Sequence, residues 1–245
     1  MAETTTKKEF DGSQGKLAAA LELPSGKPLA YALFAHCFSC SKDIKAAREI
    51  ARALRARGFA VLRFDFTGLG NSEGDFANTN FSSNVEDLVK AADYLRRDFE
   101  APSILIGHSL GGAAAIVAAG DIPEVEGVAV IGAPAEAAHV LAHIGDQREK
   151  IEKDGAAEVN LAGRPFTIKK QFIEDLERSR VSEAAAALRK PLLILHSPLD
   201  QTVGIENATR LFVAAKHPKS FVSLDKADHL LTRAEMAWFK RLYLS

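Results

Sequence analysis

Hydrophobic positions along the chain fall into two alternating patterns. Short apolar runs at residues 17–23, 29–35, 60–64, 103–106, 125–131, 192–196 and 220–224 have the length of buried strands. Between them lie stretches of helical periodicity. Residues 42–57 place Ile44, Ala47, Ile50, Ala51 and Leu54 on one face and stop at Gly58, a residue suited to a left-handed helix cap. Residues 84–98 repeat the pattern with Val85, Leu88, Ala92 and Leu95. Strands that alternate with helices in this way predict a mostly parallel sheet joined by helical crossovers. The first two runs are separated only by Pro24-Ser25-Gly26 and a few residues more, which predicts an antiparallel hairpin.

Residues 135–189 break the alternation, because a single crossover helix needs far fewer residues. The middle of this segment, 158–168, alternates around a glycine-containing turn and predicts a small hairpin, and 171–178 reads as helix. Inserts that follow strands commonly cover sites, so 135–189 is expected to be a small cap shaping a substrate pocket within one domain spanning 1–245. The competing reading is a surface excursion that touches no substrate.

Composition narrows the class. A chain of 245 residues, 47% hydrophobic and 26% charged, can bury a sizeable core, and its net charge of −1 offers no surface for a polyanion. Nucleic acid is therefore not an expected partner. Residues 1–11 are polar and lack the apolar core of a signal peptide, and no later run reaches membrane-spanning length. The expectation is a cytoplasmic protein without membrane attachment, monomer or homodimer. Only Cys37 and Cys40 are present, too few for a disulfide framework.

The chemistry concentrates where the run at 103–106 breaks into Gly107-His108-Ser109-Leu110-Gly111-Gly112 and then an alanine-rich helical stretch. Gly-x-Ser-x-Gly between a strand and a helix reads as a nucleophile elbow, whose tight turn needs glycine where a Cβ would collide. Ser109 is the candidate nucleophile. A serine needs a histidine to take its proton and a carboxylate to orient that histidine. His229, in the polar loop Asp225-Lys226-Ala227-Asp228-His229, is the candidate base. Asp200, which ends the turn after the 192–196 run, is the candidate acid. Asp225 and Asp228 compete with it but lie too close in sequence to His229. The oxyanion formed in acyl transfer needs two N–H donors, expected from Leu110 and from Phe38 in the loop leaving the 29–35 run.

Other groups have plainer readings. His196 sits at a strand end where it can bond nearby backbone, and His108 points away from the serine and packs among neighbouring elements. His139 and His143 have the i,i+4 spacing of a zinc pair but lack a clear third ligand, so no metal is expected. Neither is a cofactor. Cys37-Phe38-Ser39-Cys40 matches C-x-x-C, which admits a dithiol redox reading that would leave the serine constellation unexplained. Phe38, Phe76, Phe81, Phe166 and Phe172 are candidates for an apolar acyl site or for core.

Several of these segments together resemble the α/β-hydrolase superfamily over nearly the whole chain. The order Ser109, Asp200, His229, each after a strand, is the order of that superfamily. Asp65-Phe66-Thr67-Gly68-Leu69-Gly70-Asn71-Ser72-Glu73-Gly74 resembles its loop ahead of the elbow. The resemblance implies a mostly parallel central sheet with helices on both faces and a small insert after the sixth strand. More narrowly, residues 36–43, 63–74 and 80–84 look like the hydrolase half of bacterial fusion proteins whose second half is an OsmC-type peroxide reductase. No counterpart of that half is expected in these 245 residues, so its peroxidase chemistry is not expected of them. Cys37 occupies a place where related enzymes often have glycine. The expected activity is a serine hydrolase cleaving a small-molecule carboxylic ester or thioester through an acyl-enzyme. Acyl transfer, perhydrolysis or carbon–carbon cleavage on the same residues, or a non-catalytic binding protein, are the alternatives.

Overall fold

The computed structural model describes residues 4–145, 147–161 and 163–232. Ten strands run along the described residues as β1 (Thr4–Gly12), β2 (Gly15–Leu23), β3 (Ala30–Ala35), β4 (Phe59–Phe64), β5 (Ile104–His108), β6 (Gly127–Ile131), β7 (Ala156–Leu161), β8 (Arg164–Lys169), β9 (Leu192–His196) and β10 (Lys219–Ser223). Eight of them form one sheet in the order β1-β2-β4-β3-β5-β6-β9-β10, and β7 pairs with β8 in a second sheet. From β4 to β10 all neighbours are parallel.

Strand β1 had no counterpart among the apolar runs. Its sequence, Thr-Thr-Thr-Lys-Lys-Glu-Phe-Asp-Gly, buries the aromatic ring of Phe10 and is otherwise polar, as suits an edge exposed to water. It forms the antiparallel hairpin with β2, in register from Thr4 opposite Leu23 to Gly12 opposite Gly15. The hairpin expected between residues 17–23 and 29–35 is therefore corrected: β2 pairs with β4, and β3 lies beyond it between β4 and β5. Almost every β3 residue is buried, which demands a parallel neighbour on each side and leaves no place for an antiparallel edge.

Among the described residues the helices are α1 (Lys45–Arg55), α2 (Phe81–Asp98), α3 (Leu110–Ala118), α4 (Gln147–Asp154), α5 (Lys170–Arg178), α6 (Val181–Ala187) and α7 (Glu206–Ala214). Helix α1 starts later than its periodicity predicts because Lys42 is committed elsewhere, its backbone N–H and Nζ both donating to the buried Asp65 carboxylate. Helix α2 starts earlier, at a capping box in which Asn80 and Ser83 satisfy each other's backbone N–H groups. The capping box predicted at Thr232 to Glu235 and the final helix lie outside the described residues.

Alternate residues of each strand serve opposite faces. Leu33, Leu62, Phe64 and Leu105 pack with residues of α2 and α3, whereas Ala32, Phe34, Val61 and Ile106 pack with Ala47, Ile50 and Ala51 of α1. Each fully buried Leu or Phe contributes about 1.5–3 kcal/mol relative to exposure. Because β3, β5, β6, β9 and β10 run in parallel and pair in register, their C-terminal ends share one edge, where loops of a parallel sheet gather functional groups. Residues 135–189 leave this edge and hold a short 3-10 turn (Ala137–His143), α4, the β7-β8 hairpin, α5 and α6.

Candidate active site

Ser109 connects β5 to α3 with φ +55° and ψ −129°, a left-handed conformation that a side chain rarely adopts. The strain is held by packing. A Cβ at Gly107 would collide with the backbone of Gly111 and Gly112, and one at Gly111 with the carbonyls of Ala35 and His36. Glycine at both places lets α3 lie directly against the ends of β3 and β5. Ser109 N–H donates to Ile131 C=O at 2.9 Å, which pins the turn to β6.

The loops after β9 and β10 bring Asp200 and His229 to this serine. His229 Nδ1–H donates to Asp200 Oδ2 at 2.7 Å, which leaves Nε2 to accept from Ser109 Oγ–H at 3.0 Å. Asp200 Oδ1 accepts from Thr202 N–H and Val203 N–H, each at 2.9 Å. Burial pushes the Asp200 carboxyl upward, but the hydrogen bonds from His229 and the two amides outweigh it and hold it below the usual carboxylate range. Asp225 and Asp228 are engaged locally instead, accepting from Ser223 Oγ and from Thr232 respectively.

Three residues beyond the candidate serine, acid and base support this arrangement. Buried His108 donates from Nε2 to the His229 carbonyl at 2.7 Å, with the two rings 5.0 Å apart. Burial first, then the neighbouring imidazole, lower its pKa to about 4, so it stays neutral at pH 7. Gly132, at φ +55°, lies against the acid–base contact: a Cβ there would sit 3.2 Å from Asp200 Oδ2 and 3.5 Å from His229 Nδ1. His139 donates from Nε2 to Thr202 C=O at 2.8 Å, tying the 135–189 segment to the Asp200 loop. None has a local sequence signal, since each depends on elements distant in sequence. His196 does bond nearby backbone, its Nε2 donating to Val203 C=O at 2.7 Å.

Across the cleft, the Cys37–Phe38 peptide is anchored through its carbonyl, which accepts from His36 Nδ1–H at 2.7 Å and Cys40 N–H at 3.1 Å. A planar peptide held by its C=O also has its N–H direction fixed. The Cys37 and Cys40 sulfurs are bonded to each other, so the local C-x-x-C pair forms a disulfide where a framework of long-range bridges was not expected. The Phe38 ring stacks on Phe172 of α5 at 5.1 Å and meets Phe76 at 5.4 Å, and Phe76 meets Phe166 of β8 at 4.7 Å. Phe81 and Phe172 are buried in the core, Phe76 and Phe166 pack against it, and of the five phenylalanines Phe38 lines the cavity beside Ser109. Arg164 of β8 donates to the Ser39 carbonyl.

A cavity of about 330 Å³ lies between these walls, lined by Phe38, Ser109, Val140, Leu161, Val203 and His229 among others. No Asp, Glu, Lys or Arg lines it among the described residues. Among those residues no three His, Cys, Asp or Glu side chains converge as a metal site, and no helix is long and apolar enough to cross a membrane.

Known proteins resemble this chain in sequence and fold. A family model described as serine aminopeptidase, S33, matches residues 33–153. The crystal structure of the esterase domain from a Rhodothermus marinus protein is 51% identical, with TM-score 0.77 and coverage of 100% of this chain and 96% of that one. Monoglyceride lipase of Rattus norvegicus is 33% identical over 102 residues, 41% of this chain and 33% of the lipase. The mitochondrial palmitoyl-protein thioesterase ABHD10 of the same organism is 29% identical over 194 residues, 76% of this chain and 64% of the thioesterase. The chain thus spans about a third of the lipase and slightly less than two thirds of the thioesterase.

Proposed function

The chain belongs to the α/β-hydrolase superfamily, and from that premise we propose that it is a serine hydrolase that cleaves an uncharged carboxylic ester or thioester through an acyl-enzyme on Ser109. The observation that carries this reading is the hydrogen-bond chain from Ser109 through His229 to Asp200 at a strained strand-to-helix turn. Ser109 Oγ attacks the carbonyl carbon while its proton passes to His229 Nε2. The imidazolium that forms is stabilised by Asp200, whose depressed pKa keeps it ionised. Negative charge on the carbonyl oxygen is met by the N–H groups of Phe38 and Leu110, the latter at the positive end of α3. Collapse expels the alcohol or thiol, which takes the proton from His229, and water then releases the acid by the reverse sequence.

The cavity supports the restriction to uncharged acyl groups, because a carboxylate or ammonium in it would lose hydration without gaining an ion pair. Residues 135–189 act as the cap, with His139, Val140, Asn160 and Leu161 forming its contribution to the wall. We read the protein as one domain over 1–245, cytoplasmic, working on a small-molecule substrate as a monomer or homodimer. Residues 36–43, 63–74 and 80–84 carry the narrower likeness to the hydrolase half of OsmC-type fusion proteins.

A fluorophosphonate probe tests the reading. The expected result is a single label on Ser109, with hydrolysis of a short-chain aryl ester lost in proportion. Folded protein that resists labelling and leaves the ester intact would favour a non-catalytic binding protein.

A further inference from the structure

The Cys37–Cys40 disulfide is the one feature of the cleft for which hydrolysis as described has no use. As a staple it is poor, because a cross-link stabilises by the loop entropy it removes from the unfolded chain and a ring of about four residues removes little. Its place in the cleft fits another role. The ring closes around Phe38, whose N–H is one of the two proposed oxyanion donors, and Cys37, Phe38 and Ser39 line the cavity together with Ser109. The peptide bearing that N–H has two carbonyl anchors, His36 Nδ1–H and Cys40 N–H. The disulfide holds the second anchor in position. Opening it removes the covalent restraint on Cys40 and so loosens the second anchor, while the His36 anchor does not depend on the sulfurs.

The two sulfurs also differ in access. Cys37 is buried and Cys40 is partly exposed, so an incoming thiolate reaches Cys40 first. We propose that Cys37 and Cys40 form a thiol-exchange site, opened by a dithiol reductant and closed by a disulfide oxidant, and that the closed form is the faster hydrolase. The inference rests on the hydrolase reading above. In the opening direction a thiolate of the reductant attacks Cys40 Sγ, the protein S–S bond breaks, and its electron pair leaves on Cys37 Sγ, which takes up a proton. The second thiolate of the reductant then attacks its own sulfur in the mixed disulfide and releases Cys40 as the thiolate, which is protonated in turn. The protein gains two thiols as the dithiol becomes a disulfide, and a disulfide oxidant runs the same exchange backwards. Chains whose cysteines work in reducing compartments use disulfides mainly in this transient way.

The test uses the full chain. One sample is oxidised with glutathione disulfide, a second is reduced with dithiothreitol and freed of it under argon, and alkylation followed by mass measurement counts the thiols. Removal of an oxyanion donor costs about 10²–10³ in kcat, so loosening one should lower kcat about tenfold on an aryl ester, with KM changed less. Reoxidation should restore the rate. Cys40→Ser should hold the reduced rate whatever the redox treatment. Equal kcat in forms that differ by two alkylated thiols would overturn the exchange site and leave the hydrolase reading intact. So would a disulfide that dithiothreitol does not open, or a rate that still follows redox treatment in the Cys37→Ser/Cys40→Ser double variant. Hydrolysis by neither form, with Ser109 unlabelled by the fluorophosphonate, would overturn both.

Discussion

Ser109, Asp200 and His229 stand on loops leaving β5, β9 and β10, where backbone pairing between parallel strands sets positions, whereas Phe38, Val140 and Leu161 reach the same cavity from a loop and from the 135–189 segment. The second wall is held by ring contacts such as Phe38 on Phe172 at 5.1 Å and by single hydrogen bonds such as His139 to Thr202 at 2.8 Å. A sheet ladder cannot slip without losing many bonds at once, while a stacked ring can repack for little. The contrast assigns chemistry to the sheet side together with the Phe38 N–H, and substrate choice to the Phe38 ring and the 135–189 segment. It predicts that changes on the sheet side lower kcat, and that changes on the cap side alter KM and preference.

The largest effect is expected at the elbow. Ser109→Ala should lower hydrolysis by at least about 10⁴-fold while the folded state and its thermal midpoint stay near those of the parent protein. Retention of substantial turnover would break the assignment. His108 offers a smaller effect on the same wall. His108→Ala removes the donor to the His229 carbonyl and should lower kcat about tenfold, whereas His108→Gln, which can still donate, should keep most of it. Equal losses in both variants would mean that ring packing rather than the hydrogen bond positions the base.

His108 also links pH to stability. Its folded pKa, about 4, lies below the ordinary 6.5, so the unfolded chain takes up the proton first as pH falls. The stabilisation is complete above 6.5 and is lost as pH drops towards 4. At ~1.4 kcal/mol per unit it is worth about 3 kcal/mol. Urea unfolding at pH 7.5 and 4.5 should therefore show a smaller acid loss in His108→Gln than in the parent. On the cap side the expected effect is smallest in rate: Leu161→Ala should shift the preferred acyl group to a longer one, each added methylene gaining up to about tenfold in kcat/KM, with kcat for the best substrate nearly unchanged. An unchanged chain-length profile would remove Leu161 from the specificity wall.

The same division decides what the sequence reveals. The inner parallel strands are legible because each is apolar on both faces, and Ser109, Asp200 and His229 are legible because each follows a predicted strand within a few residues. Strand β1 is hidden by its polar edge, where Phe10 is the only large apolar side chain. The order of β2, β3 and β4 is hidden because a short turn at Pro24-Ser25-Gly26 looks the same whether the chain folds back or crosses a neighbour. Gly132 and His108 acquire their roles only when β6 and the loop after β10 meet at the sheet edge. The Phe38, Phe76, Phe166 and Phe172 cluster joins residues up to 134 positions apart, and no local spacing announces it.

The most direct test of the central claim is a rapid-quench experiment with an activated aryl ester, followed by intact-mass measurement and peptide mapping. The account predicts a burst of aryl alcohol equal to the enzyme present and one acyl group, carried by the peptide containing Ser109. Turnover with no acylated protein, or with the acyl group on a different residue, would contradict it.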